Sequence, residues 1–164
     1  VLRTKTAHCL EGAMLAATAL AYHGRPPLLL DLESTDDDYD HIVALFKEGG
    51  RWGAISKTNY PVLRWRDPVY KNVRELAMSY FHEYFLDNGK KTLRRYSGAF
   101  NLRTFDPAKW VIAEKNVDWL AEALGKAPHY PIAPARALKN LRRASTIEIK
   151  STALREWTKS GKSR

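Results

Sequence analysis

Ala7-His8-Cys9-Leu10-Glu11-Gly12-Ala13-Met14 places the chain's single cysteine where a short polar lead-in turns into an almost wholly apolar run. Helix formers continue through His23, a carboxylate stands in the first turn at Glu11, and Gly24 with Pro26 and Pro27 closes the segment. The spacing predicts a helix over 11–23. Because it is apolar nearly all round, it is expected to be buried on most of its surface, as a central helix whose N-terminus sits where other elements converge. A thiol at that end meets backbone N–H groups without intrahelical partners and the positive end of the helix dipole, which favours thiolate over thiol. The expectation is a reactive Cys9 with a lowered pKa; the competing reading is an inert buried thiol.

Downstream, apolar runs predict buried strands over 28–32, 42–47 and 52–57. The second and third are joined by Lys47-Glu48-Gly49-Gly50-Arg51, and a Gly-Gly pair supplies the positive φ angles of a two-residue hairpin turn. With that turn, Glu48 faces Arg51, Val43 faces Ser56 and His41 faces Thr58. The period of two then sets His41, Val43, Ser56 and Thr58 on one side of the hairpin. A group that orients His41 is therefore expected at Ser56 or Thr58, or just past the strand at Asn59. Asp40, next in sequence, points to the opposite face.

Beyond Pro61 the apolar spacing of Val73, Leu76, Ala77, Tyr80, Phe81, Tyr84 and Phe85 predicts a helix over 69–86, ended by Asp87-Asn88-Gly89. Further on come a basic mixed segment to Phe105, a helix opened by Asp106-Pro107 or lying over 117–124, a proline-punctuated stretch over 127–134, and a terminal helical piece ending near Trp157. The expected organisation is a core over 1–88 and a basic, mostly helical extension over 89–164, packed on the core through Phe105, Trp110, Trp119 and Trp157.

Composition bounds the function. Hydrophobic residues make up 45% of the 164, enough for one ordinary domain with a core. One cysteine excludes a disulfide framework and any cysteine-rich zinc site and fits a reducing cytoplasm. His8, His23, His82 and His129 show no ligand spacing with one another or with Cys9, so neither a metal nor a cofactor is expected. The apolar run over 13–22 is too short to cross a bilayer and lacks a signal-peptide pattern, so no membrane partner is expected. The chain opens on Val1 rather than Met, which leaves groups upstream of Cys9 outside this reading. The net charge of +9 lies entirely in the second half, which holds 17 Lys/Arg against 8 Asp/Glu. That excess is a solvated cationic surface, or a weak dock for an acidic protein or nucleic acid. Asp36 to Asp40 read as a solvated acidic turn, because the run lacks the Gly and terminal Glu of a calcium loop. Arg64-Trp65-Arg66 reads as a base-stacking patch or, with Trp65 inward, as core.

A helix carrying Cys at its N-terminus, then a strand, then a strand opening with His, then its hairpin partner: this order over residues 7–59 resembles the core of the transglutaminase-like and papain-like superfamily. The resemblance implies an α+β fold, with a buried N-terminal helix on a mainly antiparallel sheet. It also implies that Cys9 is a nucleophile and His41 its base. The family's third residue, Asp or in papain relatives Asn, falls here on Ser56, with Lys57, Thr58 and Asn59 following; the oxyanion-hole Gln of papain relatives has no counterpart, as the chain contains no glutamine. The site expected by resemblance is thus Cys9, His41, Ser56 and Asn59. Its chemistry would be attack of the thiolate on an amide or ester of a peptide, isopeptide or small acyl donor, as hydrolase or acyltransferase. The rivals are a catalytically weak or inactive scaffold that binds an acidic protein or nucleic acid, and a purely structural domain.

Overall fold

The computed structural model describes residues 1–2, 7–113, 117–152 and 154. Helix α1 (Cys9–Tyr22) is followed by strands β1 (Leu28–Glu33), β2 (His41–Glu48), β3 (Arg51–Ile55) and β4 (Trp65–Tyr70). Next come the short helix α2 (Val73–Met78), strands β5 (Arg95–Ser97) and β6 (Phe100–Asn101), helix α3 (Asp118–Gly125), strand β7 (His129–Pro131), and helices α4 (Ala135–Leu138) and α5 (Thr146–Thr152). The seven strands form one antiparallel sheet in the order β4-β3-β2-β1-β5-β7, with β6 also beside β1. The fold is α+β, with the N-terminal helix packed on the sheet.

The alternation of β1 and β2 sorts their side chains into two cores. Leu30, Leu32, Val43 and Leu45 face α2, Tyr80 and Ile132, whereas Leu29, Ile42 and Ala44 face α1, α3 and Trp110. Both faces are covered, which is why the first six residues of β2 are all buried. Glu48 pairs with Arg51 across Gly49 and Gly50, whose φ angles of 55° and 76° are those the two-residue turn requires. That fixes the register of the hairpin.

Helix α1 buries fully only Ala13, Met14 and Ala17. It is a layer on one face of the sheet, not a helix enclosed on most of its surface as its composition predicts: Ala and Met side chains fill a narrow seam against β2, while the outer side is left partly wet. Its first turn is fixed from two directions. Glu11 Oε2 accepts the backbone N–H of His8 at 2.8 Å. Gly12 lies so close to the chain after β3 that a Cβ there would stand 2.5 Å from Lys57 Cβ.

Two other expectations are corrected. The segment over 69–86 is not one helix: β4 continues to Tyr70 and α2 ends at Met78. The terminator is Arg66 on β4, whose guanidinium donates to the carbonyl and hydroxyl of Ser79 and pairs with Glu83 at 2.6 Å. With the Ser79 carbonyl captured, the chain goes on as tight turns that still bury Tyr80, Phe81 and Tyr84. The apolar spacing was real, but it served a turn-rich layer. Trp65, offered as a core residue, is 49% exposed on edge strand β4, where Pro68 also sits, and it leans on Phe46 at 5.6 Å.

The second half carries α3, α4 and α5, but it is not an extension set apart from the core. β5, β6 and β7 join the same sheet, closing the edge of β1 that β2 leaves open, so the sheet runs across the boundary expected near residue 88. Of the residues expected to dock it, Trp110 is buried, Phe105 is partly buried and Trp119 is 37% exposed. Trp157 lies outside the described residues. The 117–124 alternative corresponds to α3, and Asp106-Pro107 opens a 3-10 turn over 107–109.

Candidate functional site

The first turn of α1 lies over the end of the sheet where β1 leaves and β2 enters. Cys9 is half-buried there, its Sγ 3.9 Å from the carbonyl oxygen of Asp40. Backbone N–H groups of Ile42, Leu10 and Cys9 itself are directed at the sulfur and favour the thiolate, but loss of water outweighs them, and the charge of Asp31 adds to it. Burial therefore pushes the Cys9 thiol up, where the helix N-terminus alone would have brought it down. The expected lowering is corrected by the same packing that makes α1 a covering layer.

His41 opens β2 and is buried. It projects from the face that carries Val43 and Leu45, while Cys9 packs with the core that contains Ile42 and Ala44. The two side chains come from opposite faces and both reach the end of the sheet. There they line a single pocket of about 350 Å³, together with Asp37 to Asp40, Thr58, Tyr60 and Tyr84. Burial brings the His41 imidazole down to about 4. At neutral pH the pocket therefore holds a thiol and a neutral imidazole. The Cys9 hydrogen bond goes to Asp40 O, and that of His41 goes elsewhere.

The partner of His41 is Ser56. Nε2 lies 2.6 Å from Ser56 Oγ, the contact that the Glu48–Arg51 register produces when it is continued toward the open end of the hairpin. Ser56 stands just past β3 and is held by its own N–H donating to the carbonyl of Arg64 at 2.8 Å. Nδ1 of His41 has no hydrogen-bond partner among the described residues. Asn59 is 5% exposed, and it is its neighbours Thr58 and Tyr60, not Asn59 itself, that line the pocket. The carboxylate of Asp40 turns away from His41, accepting the N–H of Ser34 at 2.7 Å and the Ser34 hydroxyl at 3.1 Å. Among the described residues no group of three or more His, Cys, Asp or Glu side chains is placed to hold a metal ion. No helix of the described residues is long and apolar enough to cross a membrane.

No protein-family model and no curated protein matches the chain.

Several polar residues near the site escaped the sequence reading. The acidic run is not merely solvated: Lys90 pairs with Asp37 at 2.8 Å, the Thr92 hydroxyl donates to Asp38, and Tyr84 donates its hydroxyl to the carbonyl of Tyr39. On the α1 face of β1, Asp31 is buried against His129, Oδ2 to Nε2 at 3.2 Å, and Nδ1 of that ring lies 2.7 Å from the carbonyl of Ala127. Burial is the main cause raising the Asp31 carboxyl to about 6, with the Asp40 charge next. Its other oxygen, Oδ1, is buried without a partner among the described residues. An aspartate inside the apolar run 28–32 was the one available signal, since a carboxylate in a doubly covered strand needs a partner.

Proposed function

We propose that the protein performs thiol-dependent acyl chemistry, as an amide or isopeptide hydrolase or an acyltransferase, on a transglutaminase-like scaffold in a reducing, cytoplasmic setting. One observation carries this reading: Cys9 and His41, brought from a helix and a strand, line one pocket, and His41 is held by Ser56 through Nε2 while Nδ1 has no partner among the described residues.

With Nε2–H donating to Ser56 Oγ, Nδ1 presents its lone pair as the base. Cys9 Sγ attacks the acyl carbon as its proton passes to Nδ1, which gives a tetrahedral oxyanion. Collapse expels the amine or alcohol, which leaves with the proton from Nδ1 and a thioester on Cys9. Water or an amine then attacks the thioester, giving its proton to Nδ1, and the thiol is regained. Because both partners rest neutral, proton transfer accompanies attack instead of preceding it. Ser56 orients the ring but supplies no negative charge to the imidazolium, so turnover is slow beside an enzyme with Asp at that place. Asn59 has no step in this scheme.

The test is acetylation by p-nitrophenyl acetate followed by intact mass. An acetyl adduct on the wild type, absent in Cys9→Ser and formed about 10²-fold more slowly in His41→Ala, is the expected result. No adduct, or one indifferent to His41→Ala, overturns the reading.

A second reading rests on the protonation states. A raised thiol and a lowered imidazole suit a scaffold that binds without reacting, its basic second half docking an acidic protein or nucleic acid. Polyanion binding that falls steeply with salt, with no thiol acylation, would select it.

A further inference from the structure

The pocket around Cys9 and His41 runs against the charge of the chain that contains it. The protein carries 27 Lys and Arg against 18 Asp and Glu, yet among the described residues the pocket is lined by Asp37, Asp38, Asp40, Glu83 and Asp87 and by no Lys or Arg. Two of these carboxylates are neutralised from outside the pocket, Asp37 by Lys90 and Glu83 by Arg66. Asp38 and Asp40 have no ion-pair partner among the described residues. The groups on them are a hydroxyl and backbone N–H for Asp38, and a hydroxyl and backbone N–H of Ser34 for Asp40; these are dipoles that fix the carboxylates without cancelling their charge. The field reaches into the pocket wall, for Tyr84 is pushed well above the ordinary phenol range, by burial first and by Asp38 and Asp40 next.

Two independent features point to a ligand. Nδ1 of His41, a side chain more than nine-tenths buried, has no partner among the described residues although its residue lines the pocket. Tyr39, which lines the same pocket between Asp38 and Asp40 in the chain, is 90% exposed, so its aromatic ring is open to a ligand. An aromatic face next to unneutralised carboxylates is the setting in which ammonium and guanidinium groups are bound.

We infer that the pocket selects an acyl donor that carries a positive charge, an ammonium or guanidinium group, held by Asp38 and Asp40 beside the ring of Tyr39 while the acyl carbon meets Cys9. This rests on the acyl-transfer reading for its chemistry but not for its electrostatics. The cation stays clear of the reacting atoms, and its charge also offsets the negative charge that gathers on the tetrahedral oxyanion.

The test reads the field at Cys9 directly. Methanethiosulfonate reagents bearing a trimethylammonium or a sulfonate group both form a mixed disulfide with the Cys9 thiolate and expel methanesulfinate. Their rate ratio therefore cancels the thiolate fraction. Divided by the same ratio for free 2-mercaptoethanol, the cationic preference is expected to be about tenfold or more at low ionic strength. It should shrink toward unity in high salt and in Asp38→Asn and Asp40→Asn. A normalised ratio at or below one, which the net charge of +9 alone would produce, overturns the inference. Calorimetric titration of Cys9→Ser with benzamidine and with benzoate repeats the question without a thiol: benzamidine binding and benzoate failing supports the inference, and equal or reversed binding overturns it. Failure of acetylation by p-nitrophenyl acetate with the cationic preference intact would sink the acyl chemistry alone.

Discussion

Ser56 Oγ and His41 Nε2 are 2.6 Å apart, a contact that joins the two strands of the Gly49-Gly50 hairpin at its open end. Ser56→Ala removes the partner of a buried ring nitrogen and is expected to cost about 1–3 kcal/mol of stability in urea unfolding. Ser56→Asp places a carboxylate against the same nitrogen. The His41 imidazole, held down to about 4 by burial, should then titrate at a clearly higher pH in an NMR titration of the ring, and acylation of Cys9 should quicken. An unchanged His41 titration in Ser56→Asp would mean that the hydrogen bond does not set the ring's environment.

Cys9 has its thiol raised by burial, so its alkylation by iodoacetamide should be slow below pH 8 and climb about tenfold per pH unit there, with no plateau on the acid side. His41→Ala should leave that profile almost unchanged, since the imidazole is already neutral, while it slows acylation. A plateau between pH 5 and 7 that disappears in His41→Ala would reveal a thiolate–imidazolium pair instead.

Gly12→Ala sets two effects against each other. Alanine gains about 1 kcal/mol of helix propensity, but its Cβ would stand 2.5 Å from Lys57 Cβ, a rigid part of that side chain. Overpacking of this kind costs about 1–3 kcal/mol, so the variant should be less stable in chemical unfolding. Since the displaced turn carries Cys9, the thiol should also become more accessible.

Acid titration separates Asp31 from His41. The unfolded His41 ring takes a proton near 6.5 and the folded one only near 4, so acidification between these values removes about 3 kcal/mol of stability. The Asp31 carboxyl is protonated in the fold below about 6 but keeps its charge in the unfolded chain down to 3.8, so the same acidification adds about 3 kcal/mol. The two nearly cancel in the wild type. Asp31→Asn leaves the His41 effect unopposed, so its stability should fall relative to wild type by about 3 kcal/mol from pH 6.5 to 4, as read in urea melts.

What could be read from the chain was local. The two-residue turn at Gly49 and Gly50, the apolar runs beside it and the end of α1 at Gly24 are signals carried by neighbouring residues, and they were enough to give the hairpin register and the side of β2 from which His41 projects. β5, β6 and β7, of two or three residues each, are too short to show a period of two; the sheet imposes them through their pairing with β1 and with one another. The helix over 69–86 was misread because a turn-rich layer that buries Tyr80, Phe81 and Tyr84 has the same apolar spacing as a helix face, and its terminator, Arg66, lies on another element. Asp31 and His129 stand 98 positions apart, so no local pattern could pair them. The thiol was misjudged for a related reason: helix position is local, whereas the desolvation that outweighs it comes from the whole layer.

The placement of β1 has a consequence for how the protein is made. Its first edge is closed by β2, which follows almost at once, but its second waits for Arg95 to Asn101. Throughout that interval a growing polypeptide presents Leu28 to Glu33 with one row of amides and carbonyls unsatisfied, on a strand that the finished fold buries and that carries four leucines. Synthesis that stalls before residue 95 therefore leaves a sticky border able to recruit a like strand from another nascent chain, and fragments cut at the middle of the sequence should aggregate where the intact protein does not.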